Sequence, residues 1–212
     1  MSDVTTHAGS RRREQTRARL LAAAHEVFAE VGMDAASVEA IAERAGFTRG
    51  AFYSNFESKN QLFLALITQL AEAKLDEVTV RVHDLLSDAA PDTRSLVRQV
   101  VGASFGERME PQLISEIRTQ ALRDASLAEA YLAWQDALRS RVEDIIRPVV
   151  DAYGLRLRLP IAEAAQLLVD VSDDTVARAT IEGRGVAEIA ERMNERLERL
   201  VDALVEQPLA GD

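Results

Sequence analysis

The stretch Ser37-Val38-Glu39-Ala40-Ile41-Ala42-Glu43-Arg44-Ala45-Gly46-Phe47-Thr48-Arg49-Gly50-Ala51-Phe52-Tyr53-Ser54-Asn55-Phe56 holds two short amphipathic patterns separated by one glycine. Ser37 has the hydroxyl of an N-cap, and Val38, Ile41, Ala42 and Ala45 follow it on one helical face. Gly46 ends that pattern, since a residue without Cβ enters a left-handed turn at little cost. Thr48 caps a second short helix that reaches Phe56. Phe52 and Phe56, four residues apart, turn to the rear of it, which leaves Thr48, Arg49, Tyr53 and Asn55 facing outward.

Working outward, Leu20, Leu21, Ala24, Val27, Phe28 and Val31 recur at helical spacing and predict a helix from about Arg13 to Val31, closed by Gly32. Residues 1–10 read as a disordered lead-in. On the other side, Ser58-Lys59-Asn60-Gln61 has the form of a capping box, and Leu62, Phe63, Leu66 and Leu70 carry a helix on toward Leu86. A loop at Ser87–Asp92 follows, then helical patterns at 93–108, 112–123, 126–152, 161–182 and 186–206. The alternation Leu155-Arg156-Leu157-Arg158-Leu159 has the period of a strand, but no neighbouring segment offers it a partner, so it reads as loop or frayed helix. The expected fold class is all-α with about nine helices. It divides into a three-helix amino-terminal domain at 1–57 and a helical domain at 58–212.

Composition narrows the chemistry. The chain has no cysteine, and its three histidines, His7, His25 and His83, lack metal-ligand spacing; neither a metal site nor a cofactor is expected. No long apolar run or signal pattern is visible, so the expected location is the cytoplasm, away from the membrane. The net charge of −10 arises entirely beyond residue 60, because residues 1–60 hold equal numbers of acidic and basic side chains. Four of those bases are Arg11, Arg12, Arg13 and Arg17.

Two short helices joined by a glycine-bearing turn have the spacing of a helix-turn-helix, whose second helix is shaped for the DNA major groove. The run from Leu20 to Phe63, with Ser37-Val38-Glu39-Ala40-Ile41-Ala42, Ala45-Gly46, Gly50-Ala51-Phe52-Tyr53 and Phe56-Glu57-Ser58-Lys59-Asn60-Gln61-Leu62, resembles the DNA-binding domain of the TetR (tetracycline-repressor) family. The resemblance implies a transcriptional regulator, a repressor by preference, that binds a palindromic operator as a dimer and is released by a small-molecule effector. It also assigns roles. The Ser37 and Thr48 hydroxyls, with their helix-start N–H groups, would hold phosphates. Gly50 would let the backbone come close to DNA, and Arg49 would read a base, a contact that discriminates by roughly 5- to 150-fold. Tyr53 and Asn55 would meet phosphate or a base edge, Lys59 would clamp a phosphate, and Arg17 would reach the backbone from the flank. Asn55 stands where the family often has histidine, so its contact is expected to differ.

The body is less distinctive. Leu127, Tyr131, Trp134, Leu138, Val142, Ile145 and Val149 form a stripe that is first of all core, with Phe105, Met109, Tyr131 and Trp134 as candidates to line a ligand cavity. Asp170 and Asp174 share a helix face; they fit either a pocket for a cationic effector or a solvated acidic surface. Val186, Ile189, Met193, Leu197, Leu200 and Leu204 line one side of the last helix, and the resemblance implies a dimer interface there. A dimer would read two half-sites about 34–36 Å apart. Three other readings stay open. One is a ligand-independent or activating regulator, and another is an architectural module. The third is a helical enzyme, against which stands the absence of a nucleophile–base set or phosphate loop; the expectation is a non-enzyme.

Overall fold

The computed structural model describes residues 3–87 and 111–206. These residues form eight helices: α1 (Asp3–Ala35), α2 (Val38–Arg44), α3 (Arg49–Tyr53), α4 (Lys59–Ser87), α5 (Pro111–Ala121), α6 (Ala125–Tyr153), α7 (Ile161–Ile181) and α8 (Val186–Leu204). The helix expected at 93–108 lies outside the described residues, and with it the candidate ligand residues Phe105 and Met109. None of the described helices is long and apolar enough to cross a membrane.

Helix α1 starts at Asp3, not near Arg13, which corrects the expected lead-in at 1–10. No proline interrupts that segment, so the backbone ladder runs back through it, and its one glycine costs only about 1 kcal/mol. At the other end Gly32 breaks the ladder as expected, with φ +77°, but one more helical turn follows, Met33–Ala35. The Ser37 hydroxyl accepts the Ala40 N–H at 3.0 Å, and the Thr48 hydroxyl accepts the Ala51 N–H at 3.3 Å. Between these caps Gly46 takes φ +73°, and the Phe47 N–H returns to the Ala42 carbonyl at 2.8 Å, which closes the turn. The capping box at the head of α4 forms with a shift: Ser58 Oγ accepts the Gln61 N–H at 3.1 Å, whereas Gln61 Oε1 accepts from Glu57 N–H at 2.7 Å.

The residues form two compact units, one of Met1–Gln69 with Leu113–Tyr131 and the other of Leu70–Gln112 with Leu132–Asp212. The first unit therefore runs past the division at 57. The reason is packing: Leu62, Phe63 and Ile67 of α4 and Leu113 and Ile117 of α5 are buried along with Leu20, Phe28, Ile41, Phe52 and Phe56. Phe28 meets Phe63 edge-on, with ring centroids 5.0 Å apart.

In the second unit α7 and α8 form a hairpin. Val176, Met193 and Leu197 are its buried centre, and Leu168, Val171, Ile189 and Leu200 pack around them. Asp174 meets Arg196 at 2.6 Å and Glu182 meets Arg192 at 2.6 Å, tying the two helices across their exposed edge. The segment expected to lack a partner has one: Leu157 bridges antiparallel to Val205, with the Arg158 N–H on the Leu204 carbonyl and the Glu206 N–H on the Arg156 carbonyl, both at 2.8 Å. Val205 is extended just past the end of α8, which turns the Leu204 carbonyl and the Glu206 N–H on either side of it toward this segment, a placement that a sequence pattern does not reveal.

Candidate nucleic-acid interface

The front of the first unit is built by α2 and α3. Phe52 and Phe56 are buried behind α3, with ring centroids 5.9 Å apart, while Thr48, Arg49, Gly50 and Tyr53 are exposed. A Cβ built on Gly50 would come no nearer than 3.7 Å, to the Thr48 hydroxyl, so nothing inside the protein demands glycine there. A glycine inside a helix costs about 0.5–1 kcal/mol relative to alanine. Glycine at position 50 therefore has no steric requirement among the described residues.

Arg49 heads this surface. Its Nη1 lies 2.7 Å from Glu39 Oε1, in the first turn of α2, and its guanidinium sits over the Tyr53 ring at 5.5 Å. The Tyr53 hydroxyl first, and the Glu39 carboxylate second, hold the Arg49 pKa above its ordinary value. Asn55 is turned away. Its Nδ2 donates back to the Ala51 carbonyl of α3 at 2.8 Å, and its Oδ1 is buried without a partner. A base-edge contact from this amide would require a rotamer change.

Two expected phosphate contacts are drawn inward. The Lys59 ammonium donates to the carbonyls of Met33 at 2.6 Å and Ala36 at 2.9 Å, with Asp34 at 3.4 Å. It thus neutralises the carbonyl end of α1, where no helical N–H is available and the helix dipole is negative. Arg17 donates to the Asn55 carbonyl at 3.1 Å and lies 4.2 Å over the Phe56 ring. Arg13 reaches the Ser54 carbonyl at 3.4 Å in the same way. These side chains fix the end of α3 against α1, and in this geometry they are positioning groups rather than open phosphate contacts.

Sequence reasoning missed four members of this scaffold. Arg19 donates to the Ala45 carbonyl at 2.8 Å and covers the Phe47 ring at 4.7 Å, closing the end of α2 as Arg17 closes α3. Glu116 of α5 accepts the Met33 N–H at 2.6 Å, directly after the break at Gly32, and Gln120 reaches the Asp34 carboxylate beside it. Glu39 completes the set. An acid in the first turn of a helix reads as an ordinary dipole partner, so nothing marked it as the neighbour of Arg49.

The body residues divide. Tyr131, in the first unit, is buried, and its hydroxyl accepts from Arg118 at 3.4 Å; Trp134, in the second, is half-buried. The Asp170–Asp174 pair does not form a shared cationic site. Asp170 is exposed and accepts from Gln166 at 2.9 Å, while the Arg196 guanidinium holds the Asp174 pKa below the usual carboxylate range. In the predicted dimer stripe, Met193, Leu197 and Leu204 are buried within the chain, and Ile189 and Leu200 pack on the α7–α8 core. Val186 alone among the six is more than half exposed.

Known proteins resemble this chain in its amino-terminal segment and in its overall helical fold. The family profile described as bacterial regulatory proteins, tetR family, matches residues 20–66. The HTH-type transcriptional activator FasR of Mycolicibacterium smegmatis is 32% identical over 131 residues, which cover 53% of this chain and 58% of FasR. The chain thus matches little more than half the length of that relative. Among solved structures, a TetR-family regulator from Mesorhizobium loti superposes with a TM-score of 0.70 over 92% of this chain and 99% of its own, at 20% identity. Thermus thermophilus FadR, a TetR-family repressor crystallised with lauroyl-CoA, gives 0.62 at 25% identity, over 92% of this chain and 99% of its own. The segment from Leu20 to Leu66, which holds the capped α2–α3 pair and its supports, is thus similar to the tetR family of bacterial regulatory proteins.

Proposed function

We propose that this protein regulates transcription by placing α3 in the major groove of a palindromic operator, as a homodimer, under the control of a small molecule bound in its helical body. The observation that carries the reading is the face of α3. Thr48, Arg49, Gly50 and Tyr53 stand exposed over a rigid backing of Phe52 and Phe56, and one of them is a glycine without an internal reason. The exposed N-terminal backbone of α2 and α3, with Ser37 and Thr48, supplies donors for phosphates. Homodimerisation is part of the proposal because a single head buries too little DNA for useful discrimination.

For the effector, FadR's lauroyl-CoA makes acyl-CoA the first ligand class to try. An effector that weakens operator binding must itself be weakened by operator to the same factor, typically 5–150-fold. FasR is described as an activator and FadR as a repressor, so the sign of the output is a separate question, read from a promoter fusion with and without the protein.

The test is selection of bound duplexes from a random DNA pool by the full chain. The expected product is an inverted repeat whose half-site centres lie about 10 base pairs, or a multiple, apart. A recovered pool without any shared sequence would refute the proposal. Gly50→Ala supplies a second check. The free protein should become more stable by about 0.5–1 kcal/mol in a thermal melt, while its affinity for the selected duplex falls at least roughly tenfold, because the added methyl occupies the line of approach.

A further inference from the structure

We propose that Glu39 determines the specificity of this head: its carboxylate holds Arg49 ready for a guanine and repels phosphate wherever Arg49 finds none. The inference rests on the DNA-binding reading above and adds a residue to it. An exposed ion pair contributes little to stability, and the side chains of Glu39 and Arg49 are 56% and 63% exposed. The pair therefore has small value to the fold, yet it stands at the front of α3 beside Thr48 and Gly50. Glu39 places a negative charge on a surface that must approach a polyanion. That is costly for indiscriminate binding, whose strength comes from neutralised phosphates.

The remaining cations make the cost count. Arg17 and Lys59 are engaged with backbone carbonyls, so Arg49 carries the positive charge at the head of α3, and Glu39 balances it. A phosphate that approaches Arg49 on a random sequence must compete with a carboxylate already at 2.7 Å. A guanine edge need not. The guanidinium has five N–H donors in a rigid plane; Glu39 meets it at Nη1, and another edge can donate to O6 and N7 while the carboxylate stays in place. The Tyr53 ring beneath the guanidinium restricts its swing further. The carboxylate thus favours the base contact over the phosphate contact, by a repulsive element as much as by an attractive one.

The experiment compares wild type, Glu39→Gln and Arg49→Ala, all as the full chain, on the selected duplex and on a scrambled duplex of the same length across a range of salt. Glu39→Gln keeps the shape and removes the charge, and an unchanged thermal melt shows that the fold is kept. Its affinity for scrambled DNA should rise, with the salt dependence there steepening by up to about one unit as Arg49 becomes available to phosphate. Its preference for the selected duplex should fall about fivefold or more, at the base position that Arg49→Ala also relaxes. Equal preference and equal salt dependence in Glu39→Gln and wild type would overturn the role of Glu39 while leaving DNA reading intact. A wild type that distinguishes no duplex would overturn both.

Discussion

Phe52→Ala is expected to unfold the reading head. The ring is fully buried, sits against Phe56 with centroids 5.9 Å apart, and meets Tyr53 edge-on at 5.4 Å. Removing a buried phenylalanine ring costs about 3–5 kcal/mol, part of it lost transfer energy and part the cavity left behind. Helix α3 has five residues, too few to persist without the contacts behind it. A loss of this size is comparable to the whole stability of a small domain. Urea unfolding followed by helical circular dichroism should show a lowered midpoint, and DNA association should vanish with it. Tyr53→Ala is the control. That ring is 47% exposed, so its removal should leave the melt nearly unchanged.

Lys59→Met is expected to destabilise the protein by about 2–3 kcal/mol, since charge-assisted hydrogen bonds contribute about 1.5–3 kcal/mol and the carbonyls at the end of α1 lose their donor. Methionine keeps most of the apolar stem, which isolates the charge from the packing. The rival role, an open phosphate clamp, predicts the reverse pattern: unchanged stability, weaker binding to every duplex, and a salt slope flattened by about one unit. The geometry supports the first. An ammonium at 2.6 Å from Met33 O and 2.9 Å from Ala36 O has its donors committed, and pulling it toward a phosphate would uncover a helix end. Thermal melting and salt titration of the same variant separate the two accounts.

The head was legible because its determinants are local. Ser37 and Thr48 cap from three residues away, Gly46 takes the positive φ that its turn requires, and Phe52 and Phe56 share a face by helical period alone. What escaped was every contact between residues far apart in the chain. Lys59 looks like a surface cation until α1 is folded back on it. Glu116 reaches Met33 across 83 positions, and no periodicity encodes that meeting. The same limit explains the last helix. An apolar stripe tells that a face is buried but not what buries it, and here α7 of the same chain covers Met193 and Leu197. Asp174 shows the converse. Its face was read correctly from spacing, but its partner, Arg196, comes from the neighbouring helix and changes its meaning from a ligand group to a cross-tie.

The roles found for the arginines sharpen the picture of how a neutral head would bind a polyanion. Arg13, Arg17 and Arg19 of α1 close the carbonyl ends of α2 and α3, and Arg44 of α2 answers Glu26 and Glu30 of α1. Charge here is used mainly to set the angle between short helices. Selectivity then depends on a few outward groups rather than on a broad positive field.

Methylation interference on the selected duplex tests most directly whether α3 lies in the major groove. Methyl groups at guanine N7 should block binding in two clusters, one per half-site, about one helical turn or a multiple of it apart, and Arg49→Ala should lose the strongest of these effects. Interference confined to adenine N3 in the minor groove, or absent from both grooves, would contradict the placement of α3.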